Sequence, residues 1–372
     1  MDKHEEFTRW AELQGVKLYG IAAHQFPGRG LGIVAKERQE AGKIILTVPT
    51  SALRTTLTVP KAISVSLGKI TAHRRLAPGL TLDTDKARSR WRDVLPSQED
   101  FQTSMPILWP PILQDFLPQA ALALLSDQIK KFELDWATVS GAFPALNRDH
   151  YLYNWLIVNT RTFYHVPPGT KKKKDPKDCM ALNPFADYFN HSSEGCTVEF
   201  GPEGFEITSN KVYEKGEEIY ISYGKHSNDF LLAEYGFIMD ENDFDHILLD
   251  SVIIPKMDAV QLQLVRDAGY LGNYVLDKES VCYRTEVALR ALCMPARRWE
   301  RFVDSGVDGQ HDQAMADELL IKVLKLYVAK AQNLIGQLPS LEVKDRSQVE
   351  TLVRRWNQIL LFLHGAIERS VL

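Results

Sequence analysis

The 372-residue chain is 45% hydrophobic and 25% charged, and it carries a formal net charge of -4 at pH 7. Its length exceeds what one ordinary hydrophobic core holds, so we expect two domains in a soluble globular protein. The negative charge argues against a nucleic-acid-binding protein, which is usually basic, and no uninterrupted apolar run approaches the ~20 residues that span a bilayer.

The first part of the chain predicts one helix followed by short strands. Phe7, Trp10 and Leu13 recur at helical spacing. Three runs of β character come next, separated by turns that contain glycine or proline: Lys17 to Ala23, Leu31 to Ala35 and Lys43 to Val48. The run Gly28-Arg29-Gly30-Leu31-Gly32-Ile33 lacks the lysine of a phosphate-binding loop and the Rossmann spacing. Taken alone, it predicts a hairpin turn whose glycines allow a sharp bend and a close approach to a ligand.

Residues 54–150 have helical character, and a block of helices between two β-rich regions predicts an insertion. The stretch from Asp149 to Phe163 is apolar and aromatic and ends in Thr160-Arg161-Thr162-Phe163. An arginine in such a place is usually a surface cation at a helix end. Lys171 to Lys174 lies between Pro-containing segments, which predicts a solvated loop.

Two polar and aromatic runs dominate the region from Ala181 to Phe237. They are Asn183-Pro184-Phe185-Ala186-Asp187-Tyr188-Phe189-Asn190-His191-Ser192 and Ile219-Tyr220-Ile221-Ser222-Tyr223-Gly224, the latter followed by Ser227-Asn228 and Glu234-Tyr235-Gly236-Phe237. Tyrosine and histidine side chains combine a flat ring with hydrogen-bonding atoms, which suits a site for a polar, partly aromatic ligand. Ile219, Ile221 and Tyr223 share one face of a predicted strand, so Tyr223 lies at the strand's end, where Gly224 lets the chain open toward a pocket.

After Asn242 the pattern predicts a second, mostly α-helical domain. A β-like run from Ile247 to Ile254 comes first, and four helical stretches follow: Ala259 to Arg266, Thr285 to Leu292, Ala314 to Leu334 and Ser347 to Ile367. In the last stretch a helical stripe is predicted to face a core: Trp356, Ile359, Leu360, Leu363 and Ile367. We therefore divide the chain into residues 1–242, with the helical insert at roughly 54–150, and residues 243–372.

The motifs and their order resemble those of SET-domain lysine methyltransferases, in the branch of the Rubisco large-subunit methyltransferase. This branch has a glycine-rich opening motif, then Asp-x-x-Asn-His, then Tyr-Gly-x-x-Ser-Asn, matched here by Gly28 to Ile33, Asp187 to His191 and Tyr223 to Asn228. The resemblance implies an α+β fold. It consists of a SET-domain β-fold of short strands with a helical insert, followed by an α-helical C-terminal domain usually assigned to substrate binding.

The resemblance also implies a reaction, which is methyl transfer from S-adenosyl-L-methionine to the side-chain amine of lysine in a non-histone protein. Tyr223 would be the catalytic residue, orienting the amine and the methyl group. The implied cofactor contacts are Arg29, Gly30, Leu31, Arg161, Asn190, His191, Tyr223 and Phe237. Phe163, Tyr235 and Tyr188 would be walls of the lysine channel, although each can also be explained as core packing. An aromatic residue at Phe163 favours lysine, because a branch that methylates histidine carries a polar amide there.

Two other interpretations stay open. One is a catalytically silent SET protein that uses its helical domain as a binding module, although it would have no reason to keep Tyr223, Asn190, His191 and Arg161 together. The other is a methyltransferase of a small amine such as free lysine, which nothing in the sequence excludes. The four cysteines contain no C-x-x-C pair, so we expect free thiols and no metal.

The N-terminus is charged and lacks the apolar centre of a signal peptide, so we expect a protein of the cytoplasm or the nucleus. We expect a monomer whose partner is a lysine-bearing protein or a small amine, with no nucleic acid and no membrane.

Overall fold

The structure, a computed structural model, describes residues 2–27, 30–68, 70–85, 88–166, 179–201, 204–306 and 309–371. Gly28, Arg29 and the predicted loop at Lys171 to Lys174 lie outside these ranges. The chain forms two compact units, residues 1–101 with 127–225 and residues 102–126 with 226–372.

The first unit is built on short strands. They are β1 Lys17–Leu18, β2 Ile21–Phe26, β3 Gly30–Ala35, β4 Ile44–Val48, β5 Thr162–Tyr164, β6 Met180–Leu182, β7 Asn190–Gly201, β8 Gly204–Thr208 and β9 Glu218–Ile221. In the described ranges, seven of them form one sheet in the order β1-β4-β8-β7-β9-β3-β2, and β5 pairs with β6. The pairing of β7 with β9 is parallel, which sets Asn190 opposite Tyr220 and His191 opposite Ile221.

The predicted strands at the N-terminus are confirmed, with one interruption. The run from Lys17 to Ala23 divides into β1 and β2 because Gly20, at a φ of +67°, turns the chain between them. β2 and β3 then form an antiparallel hairpin in which Ile21 pairs with Ala35 and Phe26 with Gly30.

The helices of the first unit are α1 Lys3–Leu13, α2 Lys61–Leu67, α3 Ala72–Thr81, α4 Ser89–Arg92 and α8 Arg148–Arg161, together with parts of α5 Gln98–Ser104 and α7 Gln119–Ala142. A buried polar cluster joins α3, α7 and α8. Trp155 donates from Nε1 to Asp135 at 2.9 Å, Arg74 pairs with the same carboxylate, and His73 Nδ1 is 3.7 Å from it. The block of helices that interrupts the strands is therefore confirmed, and it has its own packed interior.

The second unit is mostly helical, as predicted. Its elements include α6 Pro111–Gln114, α9 Asn228–Tyr235, α10 Asp250–Ile253, α11 Ala259–Asp267, α12 Tyr283–Cys293, α13 Ala296–Ser305, α14 Gln310–Gln337 and α15 Arg346–Val371, with β10 Ile247–Leu248 paired to β11 Val275–Leu276. Trp356, Ile359 and Leu363 are buried on the inner face of α15, as predicted, whereas Leu360 and Ile367 of the predicted stripe are half-buried.

The predicted β-run from Ile247 to Ile254 is wrong beyond its first two residues. The chain turns into α10 at Asp250, whose carboxylate accepts hydrogen bonds from the backbone N–H groups of Asn273 and Tyr274, both at 2.8 Å. A carboxylate that is engaged in this way fixes a turn at the point where the apolar pattern alone would continue a strand.

The compact units differ from the predicted division at residues 1–242 and 243–372. The second unit begins again at residue 226 and includes residues 102–126 of the insert. Trp356 Nε1 donates to the backbone oxygen of Phe116 at 2.8 Å, and Gln348 Nε2 donates to that of Gln102 at 2.9 Å. These long-range bonds attach part of the insert to α15. As a division into functional domains, the predicted boundary stays a prediction.

No helix in the described ranges is long and apolar enough to cross a membrane. Within the same ranges, no three His, Cys, Asp or Glu side chains gather into a group that could hold a metal ion, and the expectation that none is needed stays a prediction. The four cysteines form no disulfide.

Candidate active site

Tyr223 lies two residues beyond the end of β9 and is fixed at three points. Its backbone N–H donates to Nδ1 of His191 at 3.0 Å, and its hydroxyl donates to the backbone oxygen of Phe189 at 2.7 Å. Its ring stacks on the His191 ring, with centroids 5.0 Å apart and planes 22° apart. A tyrosine that is held through backbone, ring and hydroxyl has one orientation, as a group that must align reacting atoms requires.

His191 reaches Tyr223 because β7 is irregular just after it. Both His191 and Cys196 lie opposite Ile221, so the residues between them bulge out of the ladder. Gly195 lies on this bulge, where a Cβ would be 2.4 Å from the carbonyl carbon of Ile221. A glycine is thus required for the two backbones to approach, and it allows the Asn190-His191 pair to lie against the end of β9.

Asn190 connects three strands. Its Nδ2 donates to the backbone oxygen of Leu31 on β3 at 3.1 Å and to Oε1 of Glu218 on β9 at 2.8 Å. Gly32 leaves room for this contact, since a Cβ there would be 2.6 Å from the Glu218 carboxylate and 2.8 Å from Asn190 Nδ2. The glycine-rich run and the Asn-His pair, which are far apart in the sequence, therefore meet.

Arg161 is the last residue of α8 and points toward the turn before Asn190. Its Nη1 donates to the backbone oxygen of Asp187 at 2.7 Å, and its buried Nε donates to no atom of the described residues. The Asp187 carboxyl is itself buried and accepts from Trp91 Nε1 at 3.3 Å. Burial raises the pKa of Asp187, and the charge of Arg161 and the Trp91 hydrogen bond oppose that rise. Asp187 thus braces the turn that precedes β7.

Tyr188 was predicted as a wall of the lysine channel, with core packing as the alternative; the structure shows core contacts, and the channel assignment stays a prediction. Its ring packs edge-on against Phe7 and Phe185 with centroids 5.5 and 5.3 Å apart, and its hydroxyl is 2.9 Å from Nδ1 of His4. The residue is buried in the aromatic core beneath α1. An amphipathic N-terminal helix needs an apolar surface to cover, and Tyr188 is part of that surface.

The predicted roles of Phe163, Tyr235 and Phe237 toward substrate and cofactor stay predictions. Phe163 is half-buried on β5, with its ring edge-on to Phe205 at 5.0 Å. Tyr235 and Phe237 belong to the second unit, where Gly236, at a φ of +80°, ends α9 between them. Burial raises the pKa of Tyr235 to about 12, so its hydroxyl stays protonated at neutral pH.

The predicted backbone contacts of the glycine-rich run are only partly described. Gly30 and Leu31 begin β3, and Leu31 presents its carbonyl to Asn190. Arg29 lies outside the described residues. The roles of these residues toward a cofactor stay predictions.

The groups around Asn190 fit the amino-acid end of S-adenosylmethionine. Both N–H groups of the Asn190 amide point to protein acceptors, so its Oδ1 remains to accept from an ammonium group. Arg161 uses Nη1 on Asp187 and has further N–H groups with which to bind a carboxylate. Asn190 thus offers an acceptor for the cation of an amino acid, and Arg161 offers donors for its anion.

The sequence did not predict the contributions of Glu218 and Trp91, nor the contact that Gly32 of the glycine-rich run allows. Glu218 could have been found from the alternation along β9, because it shares a face with Tyr220, opposite the buried Ile219 and Ile221. Gly32 lies in the glycine-rich run, but nothing in that run indicates which group approaches it, and no local pattern indicates Trp91. Their partners, Asn190 and Asp187, lie more than 90 residues away along the chain.

Two family models match the chain, one after the other along the sequence. A model described as the SET domain matches residues 30–224. A second, described as the Ribosomal lysine N-methyltransferase 2 C-terminal domain, matches residues 245–369.

Individual relatives agree with these matches. The chain is 29% identical to Ribosomal lysine N-methyltransferase set11 of Schizosaccharomyces pombe over 233 residues, which is 59% of each protein. It is 24% identical to SET domain-containing protein 4 of Homo sapiens over 398 residues, covering 98% of this chain and 90% of the human one. Among solved structures, the SET domain of LSMT bound to MeLysine and AdoHcy superposes with a TM-score of 0.67 at 16% identity, covering all of this chain and 92% of that one. At that identity the likeness shows the fold.

Proposed function

Since the SET-domain match covers residues 30–224 of 372, this chain belongs to the SET-domain family, and we propose that it is an S-adenosyl-L-methionine-dependent lysine N-methyltransferase. The observation that carries the proposal is the anchoring of Tyr223 on His191 and Phe189, next to an Asn190 whose amide oxygen remains available. When bound, the cofactor supplies a methyl group already activated by its sulfonium charge, so the chain needs no covalent nucleophile.

The chain's own task is to align the amine and to keep it uncharged. Lysine has a free pKa of about 10.4, so removing its proton at pH 7 costs about 4–5 kcal/mol. A channel walled by aromatic residues lowers that cost by desolvating the ammonium form. Tyr223 and Phe163 supply such rings, and the Tyr223 hydroxyl orients the amine. Its free pKa of about 10 makes Tyr223 a poor general base, so positioning is its main contribution.

The substrate we propose is a lysine of a non-histone protein. The names of the model that matches residues 245–369 and of the Schizosaccharomyces pombe relative support a ribosomal protein in particular. The aromatic residue at Phe163 supports lysine over histidine. We propose that the protein works as a monomer in the cytoplasm or the nucleus.

The test is methyl transfer from radiolabelled S-adenosylmethionine to three inputs: ribosomal fractions, whole cell extract and free lysine. We expect label in a ribosomal protein, released as methyllysine on hydrolysis, and labelling about 10²–10³-fold slower with Tyr223→Phe. Label in free lysine alone would make the protein a small-amine methyltransferase. Saturable cofactor binding without label in any input would make it a silent binding module. Label recovered as methylhistidine would overturn the assignment to lysine.

A further inference from the structure

The orientation of the Asn190 amide is dictated by its two partners. The Leu31 carbonyl oxygen and the Glu218 carboxylate are both acceptors, at 3.1 and 2.8 Å. Only the NH₂ end of the amide can face them, so no flipped arrangement satisfies both bonds. The amide oxygen must therefore point away from β3 and β9.

Glu218 is fixed in turn. Its Oε2 accepts from the Tyr220 hydroxyl at 2.6 Å, two residues along the same face of β9. Its backbone pairs with Val34 on β3, and Gly32 on the same strand leaves space for the carboxylate. Glu218 is half-buried, whereas its neighbour Glu217 is exposed, and the Glu217 carboxylate accepts from the backbone N–H of Glu214. Both oxygens of Glu218 are thus engaged by donors that hold its position.

We propose that Glu218 is a positioning residue for cofactor binding, acting through Asn190. This inference rests on the proposed function. By accepting from Nδ2, Glu218 turns the Asn190 oxygen toward the ammonium of the cofactor's amino-acid end. Its negative charge lies one side chain away from that cation and strengthens the Asn190 dipole. The Tyr220-Glu218-Asn190 series thereby prepares an acceptor before the ligand arrives.

A purely structural role for Glu218 makes a different prediction. If the carboxylate served only to join β3, β7 and β9, its loss would disturb the whole pocket and every ligand in it. If it acts through Asn190, its loss would affect only ligands that carry the ammonium group. 5′-Methylthioadenosine has the adenosine and sulfur of the cofactor and lacks the amino-acid end, so it separates the two cases.

The experiment is calorimetric titration of S-adenosylmethionine and of 5′-methylthioadenosine into the full-length wild type, Glu218→Ala, Glu218→Gln and Glu217→Ala. For Glu218→Ala we expect affinity for S-adenosylmethionine to fall about tenfold or more, which is the usual effect of losing a hydrogen bond to a charged group. Affinity for 5′-methylthioadenosine should change less than about twofold, an effect below about 0.4 kcal/mol. Glu217→Ala, the matched control, should leave both affinities unchanged.

Glu218→Gln keeps an acceptor for Asn190 and removes the charge. We expect a smaller loss for S-adenosylmethionine, about threefold, since neutral hydrogen bonds are roughly half as strong as charged ones. If Glu218→Ala fails to fold, the same comparison of the two ligands is made with this isosteric variant. In an Asn190→Ala background, adding Glu218→Ala should have little further effect, because the group through which it acts is gone.

Two outcomes would overturn the proposal. Equal losses for both ligands would make Glu218 a structural residue, and unchanged affinity for S-adenosylmethionine in Glu218→Ala would remove it from the site. A wild type that binds no S-adenosylmethionine would refute the proposed function itself, so the two failures are distinguishable.

Discussion

The backbone N–H of Tyr223 donates to Nδ1 of His191 across 32 residues of sequence. A backbone N–H can only donate, so Nδ1 must be unprotonated, and a neutral His191 carries its proton on Nε2. The histidine of the Asn-His motif therefore acts in the structure as an acceptor that positions the tyrosine.

Removing the Tyr223 hydroxyl tests this arrangement. Tyr223→Phe keeps the ring on His191 and the backbone bond, so we expect cofactor affinity to change little. Turnover should fall by about 10²–10³-fold, as is usual when one oriented hydrogen-bonding group is lost from a reacting site. Tyr153→Phe is the matched control, since Tyr153 also donates to a backbone carbonyl, that of Pro96 at 2.8 Å, within the helical insert. Equal loss of turnover and cofactor affinity would reassign Tyr223 to binding.

Even the substitution of Arg161 by lysine should weaken cofactor binding. Arg161→Lys keeps the charge but loses the planar fork that can bind Asp187 and a carboxylate together. We expect about a tenfold loss in affinity for S-adenosylmethionine and little change for 5′-methylthioadenosine, which has no carboxylate. The control is Arg148→Lys at the other end of α8, where Arg148 pairs with exposed Glu133. If Arg161→Lys binds the cofactor as the wild type does, the assignment to its carboxylate is wrong.

His73 should make the insert sensitive to acid. Burial, with a smaller contribution from the charge of Lys131, lowers the pKa of His73 well below its usual value. The unfolded chain binds a proton on His73 below pH ~6.5, whereas the folded protein, with its lowered pKa, does not. The free energy of unfolding is therefore at its full value above pH ~6.5 and falls at lower pH, by up to about 1.4 kcal/mol per pH unit. The thermal midpoint of the wild type should therefore drop more between pH 7.5 and 5.5 than that of His73→Leu.

His150→Leu, at an exposed position in the first turn of α8, is the control and should follow the wild type. Parallel curves for wild type and His73→Leu would show that His73 does not carry the acid sensitivity.

Arg355 and Arg354 are adjacent on α15, but they should contribute very differently to the free energy of unfolding. Arg355 is fully buried and donates to Asp229 and Asp245, each at 2.7 Å, whereas Arg354 pairs with Asp240, whose side chain is 82% exposed. Burial alone would lower the pKa of Arg355, but the two carboxylates outweigh it and raise that pKa.

Arg355→Met leaves two buried carboxylates unpaired and should cost about 3–5 kcal/mol of unfolding free energy. Arg354→Met removes only an exposed pair and should cost less than about 1 kcal/mol. Denaturant unfolding of both variants measures the difference. Similar costs would mean that the buried ion pairs are not what stabilises the second unit.

The sequence by itself determined the local features. The spacing of Phe7, Trp10 and Leu13 predicted α1, the stripe on α15 predicted a buried face, and the motifs named Tyr223 and Asn190 as site residues. These features were accessible because helical and strand periodicity and turn chemistry depend on neighbours within a few residues.

Only the tertiary structure decided which distant groups meet. Tyr188 belongs to a site motif, yet α1 covers it, and residues 102–126 belong to the insert, yet they bond to α15. The contacts of Asn190 join residues 159 and 28 positions away. Such contacts depend on the order of the strands, which no local pattern predicts. The glycine-rich run predicted a close approach, but only the fold decided that Asn190 and Glu218 are the groups that lie next to Gly32.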